Sequence, residues 1–234
     1  MRRRFMGILA AGSVVLAASL AHSNPYDKDA APAAKPVVKA GVASAPSGPE
    51  VAVLETSLGD IVIKFHPADA PKTVANFKKL VRQKFYDGTY FHRVIPRFMI
   101  QGGDPNTKNA DPNDDGIGGP GYTVAGEIKG KHLRGSVATA RLGDQANPTR
   151  ESSGSQFFID VAPQPSLDAG GYTVFGEVIS GMNAVDAIAA LARQEGVTQG
   201  PSGPNPMKKA LITKAYFAPL SKYQKAPVGA ATAK

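Results

Sequence analysis

Apolar residues recur with two different periods along the middle of this chain, and the changes of period mark its elements. Val51–Thr56 and Ile61–His66 are β-rich runs separated by Ser57-Leu58-Gly59-Asp60, which predicts a hairpin. Val74, Phe77, Leu80, Val81 and Phe85 then recur at helical spacing, with Asp69 or Ala70 at the start and Pro71 in the first turn. Lys72, Lys78, Lys79, Arg82 and Lys84 largely fall off that stripe and read as solvated surface. Tyr122–Ile128, Gly135–Ala140, Gln156–Val161, Tyr172–Ile179 and Ala210–Phe217 are further strand-like runs. A second helix is expected from an Asn183 cap, with Val185, Ile188, Ala189 and Ala192 buried and Gly196 as its stop. Many short strands with only two helices predict a mainly antiparallel all-β barrel or sandwich rather than an alternating α/β fold.

One stretch breaks the pattern. Phe91-His92-Arg93-Val94-Ile95-Pro96-Arg97-Phe98-Met99-Ile100-Gln101 sets a cation, a histidine and an amide among large apolar residues, then turns at Gly102-Gly103-Asp104-Pro105. A cation in such surroundings costs stability unless something uses it. Arg93 either pairs with a carboxylate or packs its stem along the surface, or it is the donor at the edge of a hydrophobic groove. In a small barrel the side chains fill the interior, so a groove has to lie on the outer wall or among the loops. Alternation does not settle where Arg93 points, because Phe91 and Ile95 share its side while Val94 lies opposite.

The ends differ in composition from the middle. Residues 1–23 have an Arg-rich start, an apolar run from Phe5 to Leu20 and small residues suited to cleavage, so they read as a secretory signal; the alternative is an uncleaved membrane anchor. Residues 24–49, rich in Ala, Pro, Lys, Ser and Gly, are expected to be a flexible linker to a domain spanning 50–218, and 219–234 an exposed tail. The formal charge of +8 is mostly terminal: Arg2, Arg3 and Arg4 carry three of the charges, and Lys222, Lys225 and Lys234 carry three more. No basic face remains to grip nucleic acid.

Elimination narrows the chemistry. There is no cysteine, hence no disulfide, thiolate metal site or cysteine nucleophile. No Gly-x-Ser-x-Gly elbow is present, and the four histidines (His22, His66, His92 and His132) lack metal-ligand spacing. Asp111, Asn113, Asp115 and Gly116 imitate the start of a calcium loop, but Tyr122 stands where its bidentate glutamate belongs. Gly116, Gly118 and Gly121 imitate a dinucleotide motif without a preceding hydrophobic strand and with Pro120 inside the spacing. An apolar groove bearing Arg93 and Gln101 remains, suited to binding or to a reaction that makes and breaks no bond.

Phe91-His92-Arg93-Val94-Ile95-Pro96 with Phe98-Met99-Ile100-Gln101-Gly102-Gly103-Asp104 resembles the signature of the cyclophilin-type peptidyl-prolyl cis/trans isomerases. A second block agrees: Gly154-Ser155-Gln156-Phe157-Phe158-Ile159, then Leu167-Asp168 and Val174-Phe175-Gly176. The resemblance covers about Val51 to Ala218 and implies an eight-stranded closed antiparallel barrel capped by two helices. It further implies that Arg93 is catalytic and that Phe98, Met99, Phe158 and Leu167 hold the substrate proline ring. His92, Gln101, Gln156 and Tyr172 would surround that ring, and Ala140 and Arg141 would line the neighbouring groove, Arg141 mainly through its backbone. No cofactor or metal is implied, and the partners would be proline-containing segments of folding exported proteins, met by a monomer. A noncatalytic proline-peptide module or holdase using the same groove is the alternative. Ser166 stands where eukaryotic members carry tryptophan and Tyr172 where they carry histidine, so cyclosporin binding is expected to be weak. Arg141 and the export signal point to the periplasmic bacterial branch.

Overall fold

The computed structural model describes residues 48–194 and 209–224. The predicted first hairpin is β1 (Glu50–Thr56) and β2 (Gly59–Phe65), paired Val53 to Val62 and Leu54 to Ile61. After α1 (Pro71–Arg82) come β3 (Arg93–Ile95), β4 (Met99–Gly102), β5 (Ser136–Thr139) and β6 (Phe157–Asp160). A short helix α2 (Pro165–Gly170), β7 (Val174–Ser180), α3 (Met182–Gln194) and β8 (Ile212–Pro219) complete the order. All eight strands form one antiparallel sheet in the order β3-β4-β6-β5-β7-β2-β1-β8.

The expected closed barrel is corrected to a curled half-barrel. Its edge strands β3 and β8 share no ladder; the segment before β3 meets the start of β8 around an isolated bridge between Tyr90 and Leu211. Phe91 N–H donates to the Ala210 carbonyl at 3.2 Å and Ile212 N–H to that of Thr89 at 2.7 Å. β3 is only three residues long, so no register extends this contact.

The main core, between the sheet and the helices, holds Leu54, Ile61, Ile63, Val94, Ile100, Phe157 and Ile159 from the strands and Val74, Phe77, Val185 and Ile188 from the helices. Phe77 stacks on Tyr86 at 4.9 Å and meets Phe157 edge-on at 5.6 Å, in the ring geometries aromatic pairs favour. The opposite face of the wall is not bare. Val51, Val53, Val62 and Ala218 form a second cluster beneath Leu220 and Tyr223. Met99, Ala138, Phe158 and Val174 form a third, against which Ile95, Phe98, Leu167 and Tyr172 pack. Burial on both faces explains why β1 reads as a continuous apolar run rather than an alternation.

α1 has Ala70 at its cap and Pro71 in its first position, so its free N–H groups have no local side-chain acceptor. Glu127, 55 residues on from Lys72, supplies one: its carboxylate accepts from Lys72 N–H at 3.0 Å and from Thr73 N–H and hydroxyl, each at 2.9 Å. This accounts for the largest departure from the predicted elements. Tyr122–Ile128 is not a strand; it is a loop wrapped over the start of α1, with a single bridge from Val124 to Ser152. Glu127→Ala is expected to lower stability by about 0.5–2 kcal/mol, the range for a lost cap at a helix N-terminus. A urea denaturation midpoint equal to wild type's would contradict that role.

Two smaller corrections concern helices. The described residues hold three α-helices rather than the two expected, because α2 is too short for a 3.6 period to register. Asn183 is not a cap: α3 starts at Met182, and the Gly181 carbonyl accepts from Ala184 and Val185 N–H at 3.0 and 3.2 Å. Its stripe is as expected, with Val185, Ile188, Ala189 and Ala192 at most 2 % exposed. Gly196, the segment 1–47 and the tail from Lys225 lie outside the described residues.

Candidate active site

Strand register brings the site together. Arg93 of β3 pairs with Gln101 of β4, Gln101 with Phe158 of β6, Phe158 with Ala138 of β5, and Ala138 with Val174 of β7. Residues in such a row share one face. Since Val94, Ile100, Phe157 and Ile159 fill the main core, this row lies on the outer face of the wall. Arg93 therefore points away from the core. The extended run begins only at Arg93, so Phe91 is buried in the core even though its spacing put it on Arg93's side.

Nine of the eleven candidate residues line one cavity of about 170 Å³: Arg93, Phe98, Met99, Gln101, Ala140, Arg141, Phe158, Leu167 and Tyr172. This is smaller than the roughly 300–1,000 Å³ usual for drug-sized ligands and suits a single ring. Phe98 and Met99 follow the tight β3–β4 connection, where Phe98 N–H donates to the Ile95 carbonyl at 3.0 Å. Leu167 comes from α2, and Tyr172 lies between α2 and β7, edge-on to Phe158 at 5.8 Å.

A chain of amides aims the guanidinium. Arg93 Nη1 donates to Gln101 Oε1 at 3.1 Å, and Gln101 Nε2 to Gln156 Oε1 at 2.9 Å. Gln156 Nε2 donates to the carbonyls of Gly116 at 3.0 Å and Gly118 at 2.8 Å. Because an amide has one donor end and one acceptor end, the two loop carbonyls fix the direction of the whole chain. Gln156 is thus the anchor of the relay and not a wall of the cavity; it lines a neighbouring hollow beside Ile117, Tyr122 and Leu142. Among the described residues no carboxylate makes an ion pair with Arg93. Burial pulls its pKa below the ordinary arginine value, though an arginine remains a cation throughout the working range.

His92 does not reach the cavity either. It is 4 % exposed, packs beside Gly116, and neither ring nitrogen has a hydrogen-bond partner. Burial pushes its pKa below the ordinary value, opposed by Asp104 and Asp115 and reinforced by Arg93. The unfolded chain accepts a proton near pH 6.5 that the folded site resists, so this stability is present above about pH 6.5 and lost as pH falls. We expect His92→Phe to flatten the decline in denaturation free energy between about pH 7 and 5; an unchanged slope would assign that decline elsewhere.

The segment that imitated calcium and nucleotide motifs serves the same scaffold. Asp104, fully buried, accepts from the N–H groups of Asn106 at 2.8 Å, Gly116, and Gly118 at 3.2 Å, holding the two carbonyls that anchor Gln156. His132, which no motif singles out, lies behind the cavity. Its ring lies parallel to Phe158 at 5.7 Å, and its Nδ1 is 2.8 Å from Asp160 Oδ2, both side chains fully buried. Burial pushes the Asp160 pKa up, against its hydrogen bond to His132. Nothing in the spacing of His132 and Asp160 signals that they meet; only the fold brings them behind the cavity floor.

Residues 51–216 match the family model described as cyclophilin type peptidyl-prolyl cis-trans isomerase. The chain belongs to that family. A peptidyl-prolyl cis-trans isomerase of Synechococcus elongatus is 49 % identical over 127 residues, covering 54 % of this chain and 78 % of the relative. Peptidyl-prolyl cis-trans isomerase B of Bacillus subtilis is 46 % identical over 125 residues, covering 52 % and 78 %. Among solved structures, a cyclophilin-type isomerase of Cryptosporidium parvum superposes with a TM-score of 0.58 at 27 % identity, covering 72 % of this chain and 97 % of the other. A second structure of that protein, determined in the presence of the dipeptide Ala-Pro, has a TM-score of 0.56 at 27 % identity, covering 70 % and 96 %.

Proposed function

We propose that this chain accelerates cis/trans rotation about X-Pro bonds in exported proteins, with Arg93 as the catalytic residue. The observation that carries the reading is the pairing of a half-exposed, amide-oriented guanidinium with an apolar cavity of ring size on the same outer face.

The chemistry follows from the peptide bond. Resonance gives its C–N link partial double-bond character and a barrier of about 18–20 kcal/mol, which makes X-Pro isomerisation take tens of seconds or more unaided. Twisting the bond breaks that resonance and returns a lone pair to the prolyl nitrogen. A donor at that nitrogen bonds to the twisted amide and not to either planar form, so it lowers the barrier without tightening the ground state. Arg93 is the donor. Phe98, Met99, Phe158 and Leu167 hold the ring while the preceding carbonyl swings, an orientation effect requiring neither proton transfer nor cofactor.

The exported setting rests on Arg2-Arg3-Arg4, the apolar run to Leu20 and the small residues up to Ser23. Mass spectrometry of the mature protein is expected to find an N-terminus near residue 22–24; an intact Met1 would contradict cleavage. The activity is tested by isomerisation of a short X-Pro peptide. Wild type is expected to accelerate it, whereas binding without acceleration would leave a noncatalytic module or holdase. With Ser166 beside Leu167 where a tryptophan would stand, cyclosporin is expected to inhibit weakly.

A further inference from the structure

Two arginines border the same cavity, in opposite states. Arg93 has one hydrogen-bond acceptor among the described residues, Gln101, and lines the cavity with the rest of its donors unbonded. Arg141 is committed to the protein. Its Nε donates to the Gly171 carbonyl at 3.2 Å, Nη1 to the Leu142 carbonyl at 2.8 Å and Nη2 to the Gly170 carbonyl, and Nη1 forms an ion pair with Asp144 Oδ1 at 2.7 Å. Three of a guanidinium's five N–H groups are therefore taken by backbone carbonyls, and its charge is paired with Asp144. The side chain is 5 % exposed, and its guanidinium carbon lies 4.6 Å from the centre of the Tyr172 ring.

We infer that Arg141 is a positioning residue: its side chain ties the α2–β7 connection to the segment following β5 and so holds Tyr172 as the far wall of the proline cavity. This refines the expectation that Arg141 acts mainly through its backbone, and it rests on the isomerase reading above. Gly170, Gly171 and Tyr172 form a short link whose αL turn at Gly171, with φ of 69°, ends α2. Arg141 bonds both glycine carbonyls and lies against the ring that follows them, so one side chain sets both the path of the link and the ring's position. Asp144, 52 % exposed and outside the cavity, orients the guanidinium by its ion pair and is itself fixed by Arg150 at 2.7 Å. A guanidinium so committed is not placed to form an ion pair with the substrate. Its effect reaches the substrate through Tyr172, which wild type holds in place before binding.

The test measures kcat and KM for wild type, Arg141→Ala, Arg141→Lys and Asp144→Asn on three peptides carrying Glu, Ala or Lys before proline. Arg141→Ala is expected to raise KM roughly fivefold, by the same factor for all three peptides, with kcat within about twofold of wild type. Asp144→Asn, which lies outside the cavity and reaches it only through Arg141, raises KM in the same direction by less and carries the test if Arg141→Ala does not fold. Arg141→Lys, lacking the planar fork, does not restore the wild-type KM. In a double-mutant cycle with Tyr172→Leu, the two KM effects do not multiply. An unchanged KM in both Arg141→Ala and Asp144→Asn overturns the inference, as does a KM change that depends on peptide charge. A wild type without activity on any peptide instead overturns the isomerase reading itself.

Discussion

Arg93→Ala lowers kcat/KM on an X-Pro peptide by about ten- to a hundredfold, through kcat, while the protein stays folded. A hydrogen bond from a charged donor contributes about 1.5–3 kcal/mol, and each 1.36 kcal/mol is about tenfold in rate. KM moves little because the bond forms only as the amide twists. Stability moves little because Arg93 is half-buried, makes no ion pair among the described residues and gives up one side-chain hydrogen bond, to Gln101. Arg93→Lys also loses most of the rate, since an ammonium carries its donors on one nitrogen of a flexible stem and lacks the planar fork that bonds Gln101 at one nitrogen while another faces the substrate. Steady-state kinetics alongside a urea denaturation curve separates the two effects. A variant that loses rate only in proportion to its unfolded fraction would remove Arg93 from the chemistry.

Phe158→Ala damages both fold and site. The ring is 4 % exposed, packs with Met99, Ala138 and Val174, rests on the His132 ring behind it and forms the cavity floor in front. Truncating a buried phenylalanine costs about 3–5 kcal/mol. The lower end is expected here, because the front of the ring borders the cavity and so has packing partners on fewer sides. KM rises steeply as the proline ring loses its floor. Phe158→Leu retains most of the stability and still binds poorly, and the difference between the two variants separates packing from recognition. If Phe158→Leu bound proline peptides as wild type does, the floor would have to lie elsewhere.

Much of this was legible in the chain wherever one segment carried its own signal. The strands and α1 stood out because a period of two or 3.6 is local, and the blocks around Arg93 and Gln156 stood out because their residue order is specific. Phe157 and Phe158 are adjacent, and alternation alone put them on opposite faces, one in the core and one in the cavity. The direction of Arg93 was not legible, since it depended on where the extended run begins, two residues too late for Phe91 to report it. Features that join distant segments were hidden for a related reason. Glu127 caps a helix that starts 56 residues earlier at Pro71, and its own segment therefore resembled a strand while serving as a loop. His132 behind Phe158, the Arg141 tie to Gly170 and Gly171, and the single bridge between Tyr90 and Leu211 likewise have no counterpart in local pattern. α2 was missed for the opposite reason, being too short to have a period.

The central claim is that Arg93 acts on the twisted amide and not on the bound ground state. NMR exchange spectroscopy of an X-Pro peptide at saturating protein measures the rotation of the bound peptide directly, apart from affinity. Wild type should interconvert the bound cis and trans forms rapidly and leave the cis:trans ratio of the free peptide unchanged. Arg93→Ala should bind the same peptide with a similar Kd and interconvert it about ten- to a hundredfold more slowly. Bound-state exchange in Arg93→Ala at the wild-type rate would contradict the account.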